Sequence, residues 1–240
     1  MRSVSIIIPA LNESATLEAS LMPLQAWRAA GHELILVDGG SSDNTVGLAR
    51  SLVDKVLDSA PGRARQMNLG AQAASGDILL FLHADTTLPS RGYELILQAL
   101  TPPCRWGRFD VRLTGHHWLL RVVERMMNWR SCLSGIATGD QGIFVEHALF
   151  DRLGGFPDLP LMEDIALSKY LKREAGRPAC VHTPLITSSR RWEQYGIVRT
   201  ILLMWRLRLA YFLGVSAQQL ATQYRYNDNA DTERTRSAER

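Results

Sequence analysis

The chain has 240 residues, 46% of them hydrophobic and 21% charged, with a formal charge of +3. That length predicts one sizeable core rather than two domains, and the composition is that of an ordinary globular protein. So small a charge, with no long basic run, argues against nucleic acid as a partner.

Residues 4–8 predict a buried strand ended by Pro9. Ser14 can cap a helix running to about Ala30, where Gly31 stops it. Residues 34–37 predict the next strand, closed by Asp38-Gly39-Gly40, after which Ser42 or Asp43 can cap a helix through Leu52. A short strand at 55–57, a helix at 63–74 ended by Ser75-Gly76, and a strongly apolar strand at 78–82 follow. Strands alternating with helices predict an α/β fold with a mostly parallel central sheet flanked by helices. Further along, the patterns predict a strand at 106–113, a helix at 118–129, a buried strand at 142–145 and a helix at 164–172. An extended segment at 184–189, a long apolar-rich helix at 193–213 and a short helix at 217–224 complete the unit. The domain is expected to span 1–225, and the polar tail 226–240 to be disordered.

No secretory leader pattern opens the chain, and the longest apolar stretch, 197–215, is broken by Arg199, Arg206 and Arg208, which makes a poor transmembrane span. Cys104, Cys132 and Cys180 are widely spaced and odd in number, so they are expected to be reduced thiols in a cytoplasmic protein.

In sheets of this type ligands sit beyond the carboxyl ends of the strands. Pro9, Asn12 and Glu13 follow the first strand, Asp38 the second, and His83 and Asp85 the strand at 78–82. Asp38 can accept hydrogen bonds from a base or sugar, and Gly39 and Gly40 let backbone approach a ligand, although a plain polar turn explains them equally well. Asp85, after a rigid apolar strand, offers the carboxylate oxygen that hard divalent cations prefer. Glu163 and Asp164 open a helix, where acids are favoured by its dipole; one of them could also act as a general base. Arg190, Arg191 and Trp192 suit phosphate oxygens and a sugar ring. Arg63, Arg65, Gln66 and Asn68 follow Gly62 at a helix start, a fair anion site, but Arg63 and Arg65 cannot face the same way.

In their order and spacing, Ser5-Ile6-Ile7-Ile8-Pro9-Ala10-Leu11-Asn12-Glu13, Val37-Asp38-Gly39-Gly40-Ser41-Ser42-Asp43, Leu82-His83-Ala84-Asp85 and Glu163-Asp164 resemble the family 2 glycosyltransferases of the GT-A fold. The resemblance covers about 4–224 and extends to a bacterial subgroup with His-Ala-Asp where the family has Asp-x-Asp. It implies that Pro9, Asn12, Glu13, Asp38 and Gly39 line a nucleotide pocket, with Arg63, Asn68, His83 and Ala84 beside it. It implies Asp85 as a ligand of Mg²⁺ or Mn²⁺, with His182 a further candidate. Asp164, with Glu163 beside it, occupies the general-base position of inverting members. Arg191 and Trp192 look like the end of a Gln-x-x-Arg-Trp motif whose Gln is Ser188 here. The implied activity is transfer of a sugar from a nucleotide-diphospho-sugar to an acceptor hydroxyl. The acceptor stays open, lipid-linked ones included, and so does peripheral contact with the inner face of the membrane.

A nucleotidyltransferase would want a Gly-rich loop with a Lys after the first strand, where this chain has Ala10-Leu11-Asn12-Glu13, and a dehydrogenase would want GxGxxG there. A membrane- or protein-binding module is the remaining rival, motivated by the helix at 193–213. Its arginines fall on two sides, which favours core packing for its apolar residues over an interfacial role.

Overall fold

The structure, a computed structural model, describes residues 2–224. The tail expected to be disordered lies outside the described residues. In chain order the elements are β1 (Val4–Ala10), α1 (Leu17–Leu21), α2 (Gln25–Ala29), β2 (Glu33–Asp38), α3 (Thr45–Ala49), β3 (Lys55–Asp58), α4 (Arg63–Ala73), β4 (Ile78–Phe81) and β5 (Thr86–Thr87). They continue with α5 (Gly92–Ala99), β6 (Trp106–Leu113), α6 (Trp118–Ser134), β7 (Phe144–Glu146), α7 (His147–Arg152), α8 (Glu163–Ala175), β8 (Ala179–Thr187), α9 (Arg190–Tyr195) and α10 (Ile197–Phe212). Residues 217–224 are helical too.

One sheet runs in the order β3-β2-β1-β4-β7-β6-β8-β5. The block β3-β2-β1-β4 is parallel, as is β6 with β8, whereas β7 and β5 pair antiparallel to their neighbours. Alternate residues of β1 face opposite layers, as a pleated strand requires. Val4, Ile6 and Ile8 pack with Leu17, Leu21 and Ile96 of α1 and α5; Ile7 packs with Met67, Ala71 and Leu167 of α4 and α8. Both faces are therefore covered, which is why these strands read as continuous apolar runs.

Several expected boundaries move. Pro9 does not end β1: it pairs with Val37, and the strand runs to Ala10. Gly39 N–H donates to the carbonyl of Ala10, toward β2, and Leu82 N–H to that of Ile7, toward β4. Pro9 alternates with Ala10 and so points toward β4, beyond that strand's last pairing at Phe81, where a missing N–H costs no ladder bond. The helix expected from Ser14 to Ala30 is two short helices joined by a 3₁₀ turn, Met22–Leu24, with Pro23 near its start. The helix expected over 193–213 is likewise two, parted at Gly196, whose φ of 81° no helix adopts.

Cys132 and Cys180 are not separate thiols. They form a disulfide between α6 and β8, with Cα atoms 6.0 Å apart, and Cys104 is the free cysteine. Residues 48 apart in sequence meet because α6 packs along β6, the parallel neighbour of β8.

Candidate active site

Ala10 pairs with Asp38 and Ile7 with Phe81, so Asp38 lies level with the chain just past β4, two strands over. At about 4.8 Å per strand the separation is about 10 Å. The polar residues after β1, β2 and β4 thus share the carboxyl edge of the sheet. Gln66, on α4, locks the first two: its amide donates to the carbonyls of Ala10 and Val37, both at 2.9 Å. Oδ2 of Asp38 accepts from the N–H groups of Gly40 at 3.0 Å and Ser41 at 2.9 Å, closing its turn. Asn12, with φ of 55°, accepts at its Oδ1 from Ser42 N–H at 2.8 Å, so the loops after β1 and β2 form one unit. Glu13 meets Arg190, 177 residues away, at 3.3 Å.

The centre of the site is His83. Its imidazole is mostly buried, with Nδ1 3.4 Å from a carboxylate oxygen of Asp140. Burial, then the nearby charge of Arg63, hold its pKa below the usual histidine value, against the pull of Asp140, Asp85 and Asp164. Arg63 interacts in turn with Glu163, Asp140 and Asp164. Three acids and one arginine from four segments therefore act on this one imidazole. A recess of about 10 Å³, room for one water, lies among His83, Gly139, Glu163 and Asp164 over a floor of Met67 and Phe81.

Asp85 is half-buried. Its Oδ1 accepts from the hydroxyls of Thr86 and Thr187, both at 3.4 Å, where β5 pairs with the end of β8. Glu163 and Asp164 open α8 behind Met162, whose φ of 69° is costly for a side chain with a Cβ and turns the chain sharply into the helix. Asp164 is fixed by two backbone donors, Gly139 N–H at 2.8 Å on Oδ2 and Ile165 N–H at 2.7 Å on Oδ1. Glu163 is buried, and burial together with the adjacent Asp164 pushes its pKa up to about 7, against the pull of Arg63.

Other expected site residues lie apart or serve the frame. Asn68 spends both ends of its amide on the backbone of Phe156. Arg65 pairs with Asp158, so of the two arginines only Arg63 turns to the acids. Trp192 packs against Leu113, Leu120 and Val123. Arg191 lies over the rings of Tyr224, at 4.1 Å, and Tyr195. His182 sits in a bulge where β8 has two residues more than β6, bonded to Asp110 at 3.2 Å. Three residues of β6, roughly 10 Å, separate that pairing from the one at Thr187, and the structure does not bring His182 to Asp85.

Gly139, Asp140 and Arg130 went unnoticed in the sequence. The turn 139–141 is pinned by Thr138 and Gln141 in a reciprocal cap, by Gln141 to Ser131 of α6, and by Ala137 to Ser168 of α8. The pattern Thr138-x-x-Gln141 was the available signal for an ordered turn. Arg130, on α6, lies in the field of Asp164, and its Nη2 is buried with no hydrogen-bond partner among the described residues.

Residues 5–113 match the model of glycosyl transferase family 2. That segment is similar to glycosyl transferase family 2 domains. Over 91 residues the chain is 41% identical to a PGL/p-HBAD biosynthesis glycosyltransferase of Mycobacterium bovis, covering 35% of this chain and 36% of that protein. The chain thus spans about a third of the length of such curated relatives. Among solved structures, S. aureus TarS 1-349 superposes with a TM-score of 0.65 at 17% identity, over 83% of this chain and 64% of that one. Mannosyltransferase PcManGT from Pyrobaculum calidifontis, in complex with GDP-Man and Mn²⁺, superposes with 0.63 at 21% identity, over 92% and 64%. The chain has the GT-A fold, as the motifs implied. Its matched segment ends at β6, so Glu163 and Asp164 come from the part of the fold beyond it.

Proposed function

We propose that this chain, over residues 1–225, transfers a sugar from a nucleotide-diphospho-sugar to an acceptor hydroxyl, with inversion and with the aid of Mg²⁺ or Mn²⁺. The observation that carries the reading is that His83, two residues before Asp85 and paired with Asp140, shares one recess with Glu163 and Asp164 at the carboxyl edge of the sheet. The Mn²⁺ and GDP-Man bound to the similar mannosyltransferase support the donor class.

Among the described residues no three His, Cys, Asp or Glu side chains converge into an all-protein metal cage. A Mg²⁺ or Mn²⁺ ion that draws its other ligands from diphosphate and water needs only one or two carboxylates, and Asp85 fits that donor set. When bound, the ion supplies a Lewis acid that neutralises charge on the leaving diphosphate. Asp85 would hold it, with the hydroxyls of Thr86 and Thr187 aiming the carboxylate. His182, on Asp110, has no part in this reading.

Pro9, Asn12, Glu13, Asp38 and Gly39 frame the nucleoside, and Ala84 the floor beside it. Asp164 takes the proton of the acceptor hydroxyl as its oxygen attacks the anomeric carbon, while the bond to the diphosphate oxygen breaks. Its two backbone donors fix the direction of that carboxylate. Arg63 offsets the acids and stands near the developing phosphate charge. The acceptor is an alcohol of open class, lipid-linked alcohols at the inner face of a membrane included.

Thermal shift of the purified chain with UDP-, GDP- and ADP-sugars, with and without Mn²⁺, followed by assay of released nucleotide, tests the reading. A stabilising donor that is turned over only with Mn²⁺ supports it; no response to any of the three removes it.

A further inference from the structure

Two helices expose long apolar stripes. On α6 these are Trp118, Val122, Met126, Trp129 and Leu133, and on α10 Val198, Leu202, Trp205, Leu209 and Phe212. The spacings of three and four residues place each set on one helix face. Each helix buries its opposite face: Leu120 and Val123 of α6 pack with Ile197 and Ile201, and Leu207 of α10 packs with Met162 and Ile165. The stripes are therefore not core. Phe212 is 81% exposed, Trp118 67% and Trp205 60%.

Charge says what covers them. Of the six arginines on the two helices, Arg130 turns inward beside Asp164 and Arg121 pairs with the one acid, Glu124, which leaves Arg125, Arg199 and Arg206 exposed and Arg208 half-buried. Glu124 is buried on Arg121 and the N–H of Leu113. At 100° per residue the α10 stripe runs between Arg199 and Arg206 on one edge and Arg208 on the other. The opposed arginines that argued against an interfacial helix in the sequence thus flank an apolar strip. Apolar surface with indoles, bordered by cations, matches a bilayer interface rich in anionic headgroups.

We propose that the outer faces of α6 and α10 form a ledge that docks on an anionic membrane surface. The proposal rests on the reading of a membrane-held acceptor only for its biological purpose. The ledge adjoins the site: α6 runs into the turn holding Gly139, and the inner face of α10 packs beside Glu163 and Asp164. Among the described residues no helix is long and apolar enough to cross a membrane, so contact would be with one leaflet.

Flotation of the full chain with phosphatidylcholine vesicles, with and without phosphatidylglycerol, tests this. Binding should require phosphatidylglycerol and weaken with salt. Trp205→Glu with Phe212→Glu should lower it at least about tenfold, and Arg125→Glu with Arg206→Glu should remove the phosphatidylglycerol-dependent part. Circular dichroism and donor binding, measured on the same variants, should not change, which separates loss of docking from loss of the donor site. Absence of binding to either vesicle overturns the proposal. So does wild-type binding by the Trp205→Glu/Phe212→Glu variant. A wild-type dimer that the same variant splits would also overturn it, giving the ledge to a second copy of the chain.

Discussion

The backbone N–H of Gly139 donates to Oδ2 of Asp164 at 2.8 Å, and a Cβ on Gly139 would lie 2.7 Å from Nε2 of His83. One glycine therefore spaces the proposed base from the imidazole beside the proposed metal ligand. Gly139→Ala must push His83 or the turn aside. The expected result is a loss of kcat/KM of about a hundredfold, since displacement by about 1 Å costs that much in a positioned site. Steady-state kinetics with unchanged circular dichroism checks it.

Asp164→Asn keeps the shape and, by giving up the bond from Ile165, the hydrogen bond from Gly139, but it cannot take a proton. Transfer should fall by at least about a hundredfold, the range of general-base catalysis, while donor binding by calorimetry stays nearly intact. Equal loss of both would make Asp164 a binding residue instead.

Asp85→Ala should abolish the part of donor affinity that Mn²⁺ adds, and leave the metal-free part. Titration of nucleotide with and without Mn²⁺ reads this directly. Donor binding by the wild type that ignores Mn²⁺ would take the metal role from Asp85.

Glu163 has its pKa raised to about 7 in the folded chain, by burial first and Asp164 second, from an ordinary 4.5. The folded state thus holds this proton more tightly than the unfolded one. Its stabilising contribution is complete below about pH 4.5 and is lost as pH rises through about 7. Glu163→Gln removes the buried charge, so it should stabilise the protein at pH 8 by on the order of 2 kcal/mol relative to wild type, with no gain at pH 4.5. Chemical denaturation at both pH values measures the difference.

The Cys132–Cys180 link closes a loop of 48 residues. Loop entropy predicts that Cys132→Ser or reduction costs about 4 kcal/mol, with a fall in Tm. Alkylation of the unreduced chain should label Cys104 alone. Disulfides persist in oxidising compartments, so the same assay on protein taken directly from cells tests the expected cytoplasmic placement: three labelled thiols there would support it.

Much of the site was legible because it follows strand ends. Strand runs at 4–8, 34–37 and 78–82 are local patterns, and the ligand edge of a parallel sheet follows from them, so Asp38, His83 and Asp85 are expected at one edge of the sheet. That Asn68 bonds the backbone of Phe156, 88 residues away, was not legible locally. Nor does anything near Trp192 in the sequence announce the α6 surface it packs against.

The sequence by itself determined the alternation of strand and helix, the polar punctuation after each strand and the acids that open α8, because pleat, helical period and capping each act within a few residues. Tertiary structure alone decided that Gly139 and Asp140 join His83, that Cys132 meets Cys180, and that the apolar side of α10 faces outward. Those outcomes depend on how distant elements stack, and a helix with apolar residues on two faces does not announce which one a neighbour will cover.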